Sequence, residues 1–268
     1  MPFIKVGDLR LHYLTAGDPE SPPLLIISGL TDTTAKCDWQ LPALAEDFYV
    51  ITYDNRSAGL SDHPDETYTL ADMADDAAHL LSALGIDSAN VFGFSMGGMI
   101  ALHLVLRHPE RVKRLILGCT SGGGRLAIPP DAPVIESLVN PVSSGDRYDD
   151  FINGMWVSIS DSFCESNPDT VEQLAQLAAN NPQTPEGYTS QMQAILNHDM
   201  ADRLGEIRVP VMVLHGDSDR LMPPENGRLL AANISGARLI LYPGAGHMFF
   251  IEQSARVNRD IRDFFAER

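Results

Sequence analysis

Short apolar runs bounded by turn residues alternate along this chain with stretches in which apolar residues recur every three or four positions. Phe3–Val6 and Leu9–Thr15 flank Gly7-Asp8, a two-residue connection suited to a tight turn, and predict an N-terminal hairpin. Leu24–Ser28, after Pro22-Pro23, and Tyr49–Tyr53 read as strands, with a helix expected around Asp38–Ala45 between them. Thr69-Leu70-Ala71-Asp72 has the form of a capping box with Asp in the position of Glu. Leu70, Met73, Ala77, Leu80, Leu81 and Leu84 then keep helical spacing up to Gly85. A β-rich run at Val91–Phe94, a helical stretch to about Arg107 before Pro109 and a strand over Val112–Gly118 follow. Val209–His215 and Ala237–Tyr242 add two more strands. Strands alternating with amphipathic helices predict a parallel sheet covered on both faces.

The rhythm breaks after Cys119. From Ser121-Gly122-Gly123-Gly124 to about Arg203 no convincing buried strand occurs, whereas Asp131–Val139, Tyr148–Ser158, Pro168–Ala179 and Thr184–Asn197 have helical character. Pro168 suits a first helical turn, and Val171, Leu174 and Leu177 give that segment one apolar side. The expected organisation is an α/β core formed by residues 1–120 and 204–268 with a helical insertion over 121–203. Met155, Trp156, Phe163, Met192 and Ile195 are assigned mainly to the insertion's own core, with pocket lining as the alternative.

Within the run Val91-Phe92-Gly93-Phe94-Ser95-Met96-Gly97-Gly98, a strand feeds a glycine-flanked serine that opens a helix. A serine on so sharp a turn sits in a strained backbone region, and its neighbours two residues away must lack a β-carbon. The turn exposes the Ser95 hydroxyl and sets the Met96 amide at a helix N-terminus, where developing negative charge is stabilised. Such a serine needs a base and an orienting acid. The strand ending at Tyr242 empties into Pro243-Gly244-Ala245-Gly246-His247, and the strand ending at His215 into Gly216-Asp217-Ser218-Asp219. His247 and Asp219 are the candidate base and acid. Asp217 is the alternative acid, and His215 reads as a packed core histidine. His198-Asp199, at a helix end, is a weaker alternative dyad. The remaining histidines lack close ligand spacing, and neither a phosphate-binding loop nor a dinucleotide fingerprint is present, so no metal and no cofactor is expected.

Composition narrows the partners. Across 268 residues the formal net charge is -17, which argues against nucleic acid and anionic membranes. The cysteines Cys37, Cys119 and Cys164 are odd in number and lack metal-ligand spacing, which fits reduced thiols in a cytoplasm. Met1–Val6 lacks the basic and apolar pattern of a signal peptide, and no apolar run is long enough for a membrane span. Whether copies of the chain associate is left open.

The elbow, Leu24–Leu30, Val50–Asp62, His108-Pro109-Glu110-Arg111-Val112, His215–Asp219 and Gly246-His247 together resemble the α/β-hydrolase superfamily over essentially the whole sequence. Within it, the pattern resembles esterases and lactonases similar to 3-oxoadipate enol-lactonases. The resemblance implies a mostly parallel eight-stranded sheet with helices on both faces and a helical cap after the sixth strand. It also implies the nucleophile–acid–base order Ser95, Asp219, His247, and an oxyanion hole formed by the backbone amides of Leu30 and Met96. Two departures stand out: Ser28 where many relatives carry His, and Ser57 where relatives usually carry Gly. Asp54, Asn55 and Arg56 are expected to hold their loop together through charge-assisted bonds. The implied function is cofactor-free hydrolysis of a small carboxylic ester or lactone through an acyl-enzyme. Carbon–carbon hydrolysis of a vinylogous diketone, amide hydrolysis, perhydrolysis and receptor-like ligand binding are the competing readings. Aspartate-nucleophile chemistry is disfavoured by Ser95.

Overall fold

Eight strands make one sheet in the order β1-β2-β4-β3-β5-β6-β7-β8. They are β1 (Phe3–Val6), β2 (Leu9–Ala16), β3 (Pro23–Ile27), β4 (Tyr49–Tyr53), β5 (Ala89–Phe94), β6 (Val112–Gly118), β7 (Val211–Gly216) and β8 (Arg238–Tyr242). The hairpin β1–β2 and the β2–β4 pair are antiparallel, and every other pairing is parallel. This computed structural model describes residues 2–140 and 144–267.

The helices are α1 (Leu41–Leu44), α2 (Leu70–Ala83), α3 (Met96–Arg107), α4 (Ala132–Val139), α5 (Arg147–Gly154), α6 (Asp161–Ser166), α7 (Pro168–Ala179), α8 (Pro185–Leu196), α9 (Glu225–Asn233), α10 (Phe249–Glu252) and α11 (Ser254–Ala266). Successive strand residues point to opposite faces, so each apolar strand feeds two cores. Leu25, Ile27, Val91, Leu115 and Val213 pack with α2 and α3, while Leu24, Ile26, Phe92, Ile116 and Leu214 pack with α10 and α11. The capping box of α2 forms as expected: Asp72 N–H donates to Thr69 Oγ1 at 3.3 Å and Thr69 N–H to Asp72 Oδ2 at 2.7 Å.

One expected element is shorter than its pattern. The helix anticipated around Asp38–Ala45 is only the single turn α1, preceded by a 3-10 turn at Thr34–Cys37. Pro42 has no N–H to donate to the carbonyl four residues earlier and its ring would clash there, so no helix can run back to Asp38. Helices α4–α8 all lie in the chain between β6 and β7. Among the described residues, no helix is long and apolar enough to cross a membrane.

Candidate active site

The sharpest backbone feature lies between β5 and α3, where Ser95 has φ 55° and ψ -126°. The flanking glycines are required by close approach. A β-carbon on Gly93 would lie 2.3 Å from the Gly97 carbonyl oxygen, and one on Gly97 only 2.0 Å from that of Ile27. Backbone on both sides leaves no flexible group to yield. Gly97→Ala is expected to cost about 3 kcal/mol or more, lowering Tm by roughly 6–12 °C in a thermal melt. An unchanged Tm would mean that the end of β3 shifts freely.

Asp219 and His247 approach from the loops after β7 and β8. His247 Nδ1 lies 2.8 Å from Asp219 Oδ2, and both side chains are buried. Asp219 Oδ1 accepts the backbone N–H groups of Leu221 at 3.0 Å and Met222 at 2.8 Å, which fixes the carboxylate plane. Burial works to raise the Asp219 carboxyl, but His247 and His215 hold it below the usual carboxylate range. Burial likewise opposes an imidazolium, yet the Asp219 charge raises His247 well above an ordinary histidine.

His247 and Ser95 line one cavity of about 300 Å³. Among the described residues no hydrogen bond joins Ser95 Oγ to the His247 ring. Leu30 lines the same cavity, and the backbone of Gly29 runs beside Ser95, close enough that a β-carbon there would lie 3.6 Å from Ser95 Oγ. The N–H groups of Leu30 and Met96 have no hydrogen-bond acceptor among the described residues. Both are therefore free to donate to a bound oxygen. The rest of the lining is mostly apolar and includes Phe94, Phe250 and Met248 from the core, with Phe151, Met155 and Leu174 from the inserted helices. Among the described residues Lys36 is the only lysine or arginine in it, and Asp32 stands 3.6 Å away.

The other candidates have different work. Asp217 is exposed and accepts from Gly244 N–H at 2.7 Å, which pins the His247 loop. His198 is held between His103 at 3.3 Å and the Ser121 carbonyl at 3.0 Å, and the Asp199 carboxylate accepts from Ala201 N–H; the two make no dyad. Burial and the neighbouring His198 push His103 down to about 4, so the histidine pair is neutral near pH 7. Asp54 bonds His12, Thr34 and Leu60, and Arg56 makes two bonds to Asp76 at 2.6 and 2.7 Å, so this loop is held by charge-assisted bonds. Ser57 adopts φ 65°, the left-handed backbone that a glycine takes freely, and its hydroxyl bonds His63 at 2.7 Å. Ser28 lends its carbonyl to Asn55 Nδ2 at 3.1 Å.

Two contacts escape sequence reasoning. His215 is a packed core histidine as expected, donating to the Met222 carbonyl at 2.7 Å, but its Nε2 also lies 3.2 Å from Asp219 Oδ2. The buried Cys119 thiol is an electrostatic neighbour of the His247 ring, and burial raises it so that it stays protonated. The i,i+4 spacing of His215 and Asp219 across a strand end was the one local signal available. Cys119 had none.

With this geometry in view, the likenesses to known proteins become specific. A family model described as alpha/beta hydrolase fold matches residues 22–254. The chain is 28% identical to the 3-oxoadipate enol-lactonase 2 of Acinetobacter baylyi over 95% of its own length and 92% of that protein. It is 31% identical to the 2-hydroxymuconate semialdehyde hydrolase of Pseudomonas sp. strain CF600, covering 96% of this chain and 90% of the other. The crystal structure of the enol-lactonase from Burkholderia xenovorans LB400 superposes with a TM-score of 0.86 at 26% identity, over 99% of this chain and 100% of that one.

Proposed function

The chain belongs to the α/β-hydrolase fold family, and from that premise we propose that it is a serine hydrolase cleaving a neutral carboxylic ester or lactone through an acyl-enzyme. The observation that carries this reading is the 2.8 Å bond from His247 Nδ1 to Asp219 Oδ2 at the wall of the cavity that Ser95 enters. With Nδ1–H committed to Asp219, Nε2 of His247 is the free base. It takes the Ser95 proton as Oγ attacks the carbonyl carbon, a contact that tightens once substrate fills the cavity. The oxyanion accepts from the Leu30 and Met96 amides, at the end of β3 and the start of α3 respectively. Collapse expels the alcohol oxygen, which receives the proton from His247. Water, deprotonated by the same ring, then attacks the acyl carbon and frees the acid and Ser95. The inserted helices cap the cavity, and their apolar side chains receive the acyl group. A cytoplasmic location fits the unpaired thiols of Cys37, Cys119 and Cys164.

Charge selects the substrate class. An anionic substrate would need an uncommitted cation in the lining, whereas Lys36 has Asp32 beside it. The competing reading, carbon–carbon hydrolysis of a vinylogous diketone with the same three residues, is favoured by the likeness to the 2-hydroxymuconate semialdehyde hydrolase. The deciding experiment follows p-nitrophenyl acetate, butyrate and octanoate, a lactone panel and a vinylogous diketone, with wild type and Ser95→Ala in parallel. Ser95-dependent ester or lactone opening is expected. Consumption of the diketone alone would establish carbon–carbon hydrolysis, and ligand-induced stabilisation without turnover would establish a binding protein.

A further inference from the structure

Thr31, next to Leu30, has φ 62°, a conformation that a β-branched residue adopts at a cost of roughly 1–3 kcal/mol unless its surroundings impose it. Its surroundings are two amide side chains from the inserted segment. Thr31 N–H donates to Gln191 Oε1 at 2.9 Å, and the Thr31 carbonyl accepts from Asn181 Nδ2, also at 2.9 Å. Neither amide can turn over without loss. Gln191 Nε2 already donates to the Arg56 carbonyl at 2.8 Å, and Asn181 Oδ1 accepts from Gln183 N–H at 3.0 Å. A flip would set an NH₂ group against the Thr31 N–H. Gln191 is fully buried, so no water replaces either bond, and the Arg56 backbone it leans on is anchored by the pair of bonds to Asp76.

The bonds bracket one peptide. Asn55 holds the Ser28 carbonyl on the upstream side, and Gln191 and Asn181 hold Thr31 on the downstream side. Between them the Leu30 N–H is left unbonded beside Ser95. We infer that Gln191 and Asn181 are positioning residues that clamp the strained Thr31 and thereby aim the Leu30 N–H at the oxyanion, so that the inserted helices complete the catalytic machinery as well as cover it. The inference rests on the serine-hydrolase reading.

The test is Gln191→Met, which keeps the volume and removes both bonds, with Asn181→Ala as a second variant that removes only the bond to the Thr31 carbonyl. A displaced oxyanion donor costs transition-state and not ground-state binding, so kcat on an ester should fall about 10- to 100-fold while KM stays within about threefold. Affinity for an alkylboronic acid, whose adduct on Ser95 is tetrahedral, should fall in parallel with kcat. Amide exchange over residues 29–33 should quicken. Adding Thr31→Gly to Gln191→Met should recover much of the lost kcat, because glycine holds a positive φ without strain. Gln191→Met and Asn181→Ala proteins with wild-type kcat would overturn the inference, as would a loss confined to KM. If wild type itself shows no Ser95-dependent turnover, the functional reading fails first and this inference with it. If exchange quickens but kcat does not move, the clamp is structural and only the catalytic inference falls.

Discussion

Ser95→Ala should remove turnover on every substrate that wild type hydrolyses, with kcat falling on the order of 10⁶-fold where nucleophile, base and acid act as a unit. The variant retains the cavity, the Leu30 and Met96 amides and the His247–Asp219 pair, so a residue of about 10³- to 10⁴-fold acceleration over water should remain from binding and oxyanion stabilisation alone. What it loses is the atom proposed to form the acyl-enzyme. The fold should not notice. Ser95 Oγ has no hydrogen-bond partner among the described residues, and the bonds that fix the elbow are to its backbone: Thr120 Oγ1 donates to the Ser95 carbonyl at 2.8 Å, and Ser95 N–H donates to the Gly118 carbonyl at 2.9 Å. Alanine keeps all of them. The measurement is a pre-steady-state assay with p-nitrophenyl acetate in excess over enzyme, read beside a thermal melt and mass spectrometry of the protein after a fluorophosphonate. Wild type should show a burst and one covalent adduct, and the variant neither, at an almost unchanged Tm. A variant that keeps even a few per cent of wild-type kcat would make some other group the nucleophile.

The parts of this protein that could be read from its chain are those whose cause is local. The strands Tyr49–Tyr53 and Val112–Gly118 and the helix Pro168–Ala179 have the bounds that their patterns predict, because turn residues or a first-turn proline delimit each. Pro42 is also a local signal, and it holds α1 to a single turn. Helix α11 was not among the expected elements even though Val257, Ile261, Phe264 and Phe265 recur at helical spacing and are buried. At the site, Ser95, Asp219 and His247 each follow the end of a strand beside glycines, which is a local signature. Gln191 is different: its partners Thr31 and Arg56 are 160 and 135 positions away, and a glutamine in an amphipathic helix carries no mark of what it will meet. Only the folded insertion brings them together. Long-range polar clamps of this kind are invisible to periodicity, because periodicity reports which face is buried and not what is buried against it.

Asp219→Asn separates the orienting acid from everything else around the ring. The carboxylate accepts on both oxygens, Leu221 and Met222 N–H on Oδ1 and His247 Nδ1–H on Oδ2, with His215 Nε2 3.2 Å from Oδ2. An asparagine must give up one side. The two backbone donors are rigid and claim the amide oxygen, which turns the NH₂ toward His247. His247 Nδ1 then has to accept, its proton moves to Nε2, and the nitrogen that should take the Ser95 proton already carries one. A fall in kcat of about 10⁴-fold is expected from the wrong tautomer alone. The pH dependence moves in a defined direction. In wild type the Asp219 charge raises His247, so the neutral, active ring accumulates only above the ordinary histidine value of 6.5, and kcat/KM should climb through that raised value. Without the charge, the main opposition to burial is gone and the neutral ring is favoured, so the climb in the variant should lie at lower pH although its plateau is far beneath that of wild type. A profile of kcat/KM from pH 5 to 9 on p-nitrophenyl butyrate reads both effects at once, and Asp217→Asn serves as the companion variant. Asp217 touches the Gly244 amide and not the ring, so its loss should leave the position of the climb where wild type has it. A larger kcat loss for Asp217→Asn than for Asp219→Asn, or an Asp219→Asn profile superimposable on wild type, would take the acid's role away from Asp219.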